Sequence, residues 1–240
     1  MAPYSLEGKI PAITTQQMVE VDLLMIEGYG IQLIQMMENA GRSLAELTRR
    51  LLGGDVSGRN IAVLSGAGNN GGGGMAAARH LHNWGAEVKV NPVFKPEQLK
   101  NMPAHQWDIL QKIGIQNLKI EQLGQVEIIL DAIIGYGLAG DPHGPAVEWI
   151  EYANQSKIPI LALDAPSGLN TTTGRPGSPC ISAMATLTLA LPKTGLLEPA
   201  ARPVVGDLYL ADISVPAELY RQIGLNVPDV FSKDSIIRVP

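Results

Sequence analysis

Residues 64–75 read Leu-Ser-Gly-Ala-Gly-Asn-Asn-Gly-Gly-Gly-Gly-Met, and no other stretch of the chain restricts its fold as tightly. The apolar run Ile61-Ala-Val-Leu64 feeds into it, and Ala76-Ala-Ala-Arg-His-Leu81 leaves it with helical character, so the segment reads as strand, glycine loop, helix. Five of the seven residues from Gly68 to Gly74 carry no side chain. Each glycine weakens a regular element by roughly 0.5–1 kcal/mol, so this density argues for a ligand that the backbone must approach, not for a plain turn. Backbone N–H groups at the head of the helix that follows would favour phosphate.

The rest of the chain alternates around that segment. Thr14 and Gln17 have capping-box spacing ahead of a short helix through Ile26, stopped by Gly28-Tyr-Gly30. Leu33, Met37, Ala40, Leu44, Leu47 and Leu51 then recur at three- and four-residue steps, a helix ended by Gly53-Gly54. Strands are expected at 60–65, 87–93, 126–131, 158–163, 184–190 and 207–212. Helices are expected at 74–84, over a stretch 97–113 broken by Pro103, near 145–155 and after Pro216. This pattern implies one domain over 1–240: a three-layer α/β/α sandwich with a Rossmann-like, mostly parallel sheet, the helices of about 14–52 packing on or beside it. The methionines Met18, Met25, Met36 and Met37 read as packing, some available to a subunit interface.

Composition excludes several functions. A formal net charge of −5 leaves no basic footprint for nucleic acid. The single cysteine, Cys180, rules out an internal disulfide or a cysteine-rich zinc site. No 18-residue apolar run is present, and Met1–Glu7 has neither signal-peptide nor transit-peptide character, so no membrane partner and a cytoplasmic location are expected.

In parallel sheets of this kind ligands sit beyond the carboxyl ends of the strands. Three strands end in unusual chemistry: Asn69-Asn70 in the glycine stretch, Asp131 before Gly135-Tyr-Gly137, and Asp164 before Pro166-Ser167-Gly168. Parallel strands would bring all three to one edge. Gly66-x-Gly68-x-x-Gly71 satisfies a dinucleotide fingerprint with Glu87 downstream, but Gly71–Gly74 would make a poor first helical turn, which counts against a dehydrogenase. A Walker loop fails for want of Gly-Lys-Ser/Thr. Ser167 lacks a nucleophile elbow, and His80 and His82 point to different faces of a helix. His143, near the second glycine turn, reads as a solvated loop position or a ligand contact, Lys193 as meeting either a phosphate or the sheet edge, and Cys180 as a thiol without a role.

Gly68-Asn-Asn-Gly-Gly, Asp131-Ala-Ile-Ile-Gly-Tyr-Gly and Asp164-Ala-Pro-Ser-Gly together closely resemble the NAD(P)H-hydrate epimerase family, the YjeF N-terminal domain. Met37-Glu-Asn-Ala-Gly41 and Pro192-Lys-Thr-Gly195 resemble it as well, so the likeness runs over about residues 14–215. The resemblance implies an often dimeric protein, here a homodimer, that interconverts the R and S forms of hydrated NADH or NADPH (NADHX and NADPHX). The inverted centre is C6 of the damaged nicotinamide ring. It implies dinucleotide contacts at Asn69, Asn70, Gly71, Gly72 and Gly73, and a phosphate cradle at Gly135, Tyr136, Gly137, Leu138, Ala139, Gly140 and Asp141. It implies a potassium ion on Asn70, Asp131 and Ser167, hard oxygen ligands suited to an alkali cation and not to zinc. Asp164 would be the carboxylate nearest the reacting ring, where ring opening or the loss and return of water needs a positioned acid or base.

Two positions depart from that family pattern. Its glycine loop reads Gly-Gly-Asp-Gly, where this chain has Gly73, and its second turn carries threonine where Tyr136 stands here. Two readings follow: an epimerase of nucleotide repair, or a catalytically impaired nucleotide-binding or protein-interaction module on the same scaffold.

Overall fold

The computed structural model describes residues 4–5, 10–99 and 101–240; most of the stretch Met1–Glu7, read above for targeting signals, lies outside them. Among the described residues nine strands form one sheet. They are β1 (Tyr4–Ser5), β2 (Asn60–Ser65), β3 (Glu87–Pro92), β4 (Gln116–Asn117), β5 (Ile128–Ala132), β6 (Ile160–Leu163), β7 (Ala185–Leu189), β8 (Asp207–Ala211) and β9 (Ile236–Arg238). Their order is β1-β9-β8-β7-β6-β5-β2-β3-β4, and every pairing is parallel except β8 with β9. The helices are α1 (Thr15–Leu23), α2 (Leu33–Leu51), α3 (Asn69–Asn83), α4 (Asn101–Lys112), α5 (Pro145–Ser156), α6 (Arg202–Val205) and α7 (Ala217–Gln222).

Alternation along the central strands builds the layers. Ile61 and Val63 of β2 face a core with Leu44 and Leu47 of α2 and Met75 and Leu81 of α3. Ala62 and Leu64 face the opposite way, onto Ala146, Ile150 and Ala153 of α5. A strand buried on both faces has to be nearly all apolar, as β2 and β5 are. The opening helices lie beside this sandwich: Met18, Val21 and Met25 pack with Met36 and Ala40 against Leu210, Ile237 and Leu219. All four methionines are buried, which is the packing reading. Thr14 caps α1 in a capping box with Gln17, and the helix continues through a π turn, Leu24–Gly28, to the expected stop.

The glycine stretch corrects the sequence reading. It is not a loop before a helix at 74: α3 starts at Asn69 and takes Gly71–Gly74 into its first turns. Close packing is the reason. A Cβ at Gly71 would collide with the Gly66 carbonyl oxygen, and one at Gly74 with the Ala132 Cβ. On the facing helix a Cβ at Gly41 would lie 2.5 Å from that of Ala76. The loss of helix propensity, about 1 kcal/mol per glycine, is offset by letting α2, α3 and the sheet approach one another. The objection to a dehydrogenase fingerprint drawn from a poor first turn therefore falls. Pro103 likewise sits within the first turn of α4, where its missing N–H costs nothing, and does not break a helix.

Candidate active site

β3 and β4 lie on one side of β2, and β5 returns to its other side, so the sheet changes direction between β2 and β5. This is the switch point at which parallel sheets open a crevice. Asp131 pairs in register with Leu64 on one side and Ala162 on the other, so the three strand ends named from sequence do lie together. A cavity of about 630 Å³ opens there, bounded by Gly68–Asn70, Ile133–Gly137 and Leu163-Asp164.

The helical end of the site is bare backbone. Gly68 is the N-cap of α3 and offers no side chain, and the first N–H groups of a helix have no intrahelical partner. Asn69, Asn70 and Gly73 border the cavity; Gly71 and Gly72 are buried, and a Cβ on Gly72 would lie 2.6 Å from the Met37 thioether. A helix start with free N–H groups facing a cavity suits an anionic group. Gly135, Tyr136 and Gly137 also border it, whereas Leu138–Asp141 continue along the surface past its rim. There the Asp141 carboxylate accepts from the Ser178 N–H at 3.0 Å.

Asp164 stands at the end of β6 in the left-handed region, φ 66°, a conformation that costs most residues about 1 kcal/mol or more and that Asp tolerates better than most. Its Oδ2 accepts from the Tyr136 N–H at 2.9 Å, and its Oδ1 is ion-paired with Lys193 Nζ. Lys193 is wholly buried; its ammonium also donates to the Leu189 carbonyl at 3.1 Å and lies 3.3 Å from Thr188 Oγ1. The ammonium stands 5.6 Å from the centre of the Tyr136 ring. Lys193 is therefore neither a solvent-facing phosphate contact nor a sheet-edge residue: burial forces it onto the Asp164 carboxylate. The Tyr136 hydroxyl donates to Asp22 Oδ2 on α1 at 2.6 Å. Asp22 was not anticipated from sequence. The signal was there, since it sits on the same face of α1 as the buried Met18 and Met25.

Asp131 and Ser167 do not border the cavity; both are fully buried. Asp131 Oδ1 accepts from the Ser167 hydroxyl at 2.6 Å and the Ile133 N–H at 3.2 Å, and its Oδ2 from the Ser167 N–H at 2.8 Å. No cationic side chain pairs with it among the described residues, and burial pushes its pKa up to about 6 against those hydrogen bonds. Ser167 also takes the Ile134 N–H at 2.8 Å, and its hydroxyl is committed to Asp131, so it is no hydrolase nucleophile. Asn70 donates to the Leu163 carbonyl at 3.2 Å and packs against Gly135, the residue after Ile134. Asp131, Ser167 and the Ile134 carbonyl thus form a neutral-to-anionic, all-oxygen set, with Asn70 on the cavity side at Gly135. That chemistry fits an alkali cation. Among the described residues no three His, Cys, Asp or Glu side chains gather as a metal site.

The remaining candidates are accounted for locally. His80 is buried against Glu38 at 2.8 Å, His82 is exposed and His143 lies on an exposed loop. Cys180 is half-buried and its thiol is pushed up to about 12, first by burial and then by the Asp131 charge, which makes it unreactive.

With this geometry in hand, comparison with known proteins is decisive. The family described as YjeF-related protein N-terminus matches residues 33–195. The chain belongs to that family. It is 40% identical over 222 residues to an NAD(P)H-hydrate epimerase of Dehalogenimonas lykanthroporepellens, covering 91% of this chain and 89% of that one. It is 35% identical to the NAD(P)H-hydrate epimerase of Rhodopirellula baltica over 90% of each chain. A bifunctional NAD(P)H-hydrate repair enzyme of Moorella thermoacetica is 38% identical over 86% of this chain but only 41% of its own length. The crystal structure of the yeast protein YNL200c superposes with a TM-score of 0.81 at 25% identity, over 95% of this chain and all of that one. The α/β fold and the family expected from the three motifs are thereby shown. No helix among the described residues is long and apolar enough to cross a membrane.

Proposed function

We propose that this chain is an NAD(P)H-hydrate epimerase, interconverting the R and S forms of NADHX and NADPHX. The observation that carries the reading is the buried Asp164–Lys193 pair at the floor of a cavity whose other wall is the uncapped start of α3. An anion-binding helix start and a fixed carboxylate are what a damaged dinucleotide needs: one holds the pyrophosphate, the other meets the ring. Asn69, Asn70, Gly73 and Gly135–Gly137 line the path between them, and Leu138–Asp141, on the surface past the rim, would extend the phosphate contacts outward. Asn70, Asp131 and Ser167 would hold a potassium ion, which would supply positive charge beneath the anionic ligand. A homodimer belongs to the same reading and is supported by the exposed Val19 and Leu23, one turn apart on α1; a cytoplasmic setting agrees with the single free cysteine.

The test is to add the purified protein to the R form of hydrated NADH with an excess of dehydratase specific for the S form. Consumption of the R form well above its unaided rate is expected; consumption at the unaided rate refutes the activity. Gly73 favours a second reading, a nucleotide-binding module without catalysis, because α3 presents no carboxylate to the cavity. That reading predicts binding of NADHX by calorimetry with no gain in epimerisation.

A further inference from the structure

Of the residues lining the cavity, four are ionisable: Asp22, Tyr136, Asp164 and Lys193. They come from α1 and from the loops after β5, β6 and β7, yet they form one connected chain. Tyr136 holds Asp164 through its backbone N–H and Asp22 through its hydroxyl, while Lys193 pairs with Asp164 and faces the Tyr136 ring. Both oxygens of Asp164 are engaged by donors, a pattern that suits the acceptor-only carboxylate as the starting acceptor of the R-to-S direction, acceptor and donor exchanging roles in reverse. Inversion at a carbon bearing a hydroxyl needs a donor as well as an acceptor.

We propose that Asp22 is the proton donor of the site, with the Tyr136 hydroxyl as its relay, and that Asp164 is the matching acceptor. This rests on the epimerase reading. In the step written through water, the Tyr136 hydroxyl, which donates to Asp22 in the resting site, turns its proton onto the C6 hydroxyl and takes in its place the proton that Asp22 holds. The C6–O bond breaks with its electron pair leaving on water, and the lone pair of the ring nitrogen forms C6=N1. Water returning to the opposite face forms the new C6–O bond and sends the C6=N1 pair back to nitrogen. Its surplus proton goes to Asp164 and from there to solvent, while Asp22 is reprotonated from solvent, so no oxidant or reductant is needed. The surroundings of Asp22 allow it to hold a proton: burial raises its pKa first of all, the Asp164 charge adds to the rise, and the Tyr136 hydroxyl and Lys193 oppose it. Tyr220 of α7 also faces Asp22 and is neutral, its hydroxyl held up by burial.

The experiment measures kcat and KM for the R form of hydrated NADH against pH in the wild type and in Asp22→Asn, Asp22→Glu and Tyr136→Phe. A donor must be protonated to act, so wild-type kcat should fall on the alkaline side of the Asp22 titration. Asp22→Asn should lower kcat about 100-fold with KM changed less than about twofold, and should lose that alkaline limb. Tyr136→Phe should show the same kcat loss, and Asp22→Glu should recover part of it. Thermal melts establish folding; if Asp22→Asn does not fold, Tyr136→Phe, which removes one hydroxyl, decides. Wild-type kcat with an intact alkaline limb in Asp22→Asn, or in Tyr136→Phe, overturns the proposal while leaving the epimerase reading in place. An inactive wild type overturns both.

Discussion

Asp164 and Lys193 show how one buried pair can serve the fold and the chemistry together. An ammonium with no solvent contact is tolerated only because a carboxylate, a carbonyl and a hydroxyl surround it. Lys193→Met would leave Asp164 unpaired in the interior and should destabilise the protein by about 3–5 kcal/mol, read as a drop in the thermal midpoint on the order of 10 °C. Adding Asp164→Asn to Lys193→Met should recover part of that loss, because the stranded charge is gone; strictly additive losses would refute the coupling. Asp164→Asn alone keeps a residue that accepts φ 66° but strands the Lys193 charge, so it should also lower the thermal midpoint, and kcat per folded molecule should fall at least about 100-fold. The place of Asp164 at the cavity was legible because it ends an apolar strand ahead of Pro-Ser-Gly. The partner of Lys193 was not: nothing in Pro192-Lys-Thr-Gly195 says that the chain after β7 folds back under β6, and lysine is rarely found fully buried.

At the scale of elements, the α2–α3 contact sets what the glycine stretch can become. A Cβ on Gly73 would lie 3.0 Å from Leu163 Cδ2, the end of a side chain that can shift, whereas Gly74 meets the Ala132 Cβ, which cannot. Gly73→Ala should therefore be neutral or stabilising by up to about 1 kcal/mol, and Gly74→Ala destabilising by about 1–3 kcal/mol, as chemical denaturation would report. Equal effects at the two positions would refute this packing account. The same geometry leaves room for Gly73→Asp as a test of whether a carboxylate on α3 raises turnover. This is where sequence reasoning fell short: glycine density pointed to ligand approach, while helix propensity carries no information about the neighbours that Gly71, Gly72 and Gly74 let close. The two helices are also clamped at the surface, where Glu38 of α2 binds Arg79 at 2.5 Å and His80 at 2.8 Å on α3. Burial raises the Glu38 pKa, but the Arg79 and His80 contacts together outweigh it and hold the group below its ordinary value of 4.5. A lowered acid pKa means that the unfolded chain binds more protons, so this contribution is present above the ordinary value and is lost as pH falls through the folded one. Glu38→Gln should thus lower the thermal midpoint at pH 7 and leave it unchanged in strong acid. A deficit that persists in acid would show that the clamp is not electrostatic.

For the whole molecule, the strand order brings the functional parts together. Because β5 returns beside β2 after β3 and β4 have gone the other way, the ends of β2, β5 and β6 must share one edge, and alternation with strand-end residues made this readable from sequence. The short outer strands β1, β4 and β9, two or three residues each, gave no such signal and do not border the cavity. The central position of β5 has an energetic consequence. It carries Asp131 into the middle of the sandwich with hydrogen bonds but no countercharge among the described residues, so the folded state holds a carboxylate in an unfavourable place. A cation bound there by the native state alone would stabilise the entire protein by mass action, by about 1.4 kcal/mol for each tenfold excess over its dissociation constant once saturation is passed. Replacing tetramethylammonium by potassium at constant ionic strength should therefore raise the thermal midpoint of the wild type at neutral pH. Asp131→Ala should abolish the increment and weaken dinucleotide binding in parallel. An increment that survives in Asp131→Ala would place the ion elsewhere, and a wild-type midpoint indifferent to potassium would leave Asp131 as a buried acid serving only the loop at Ser167.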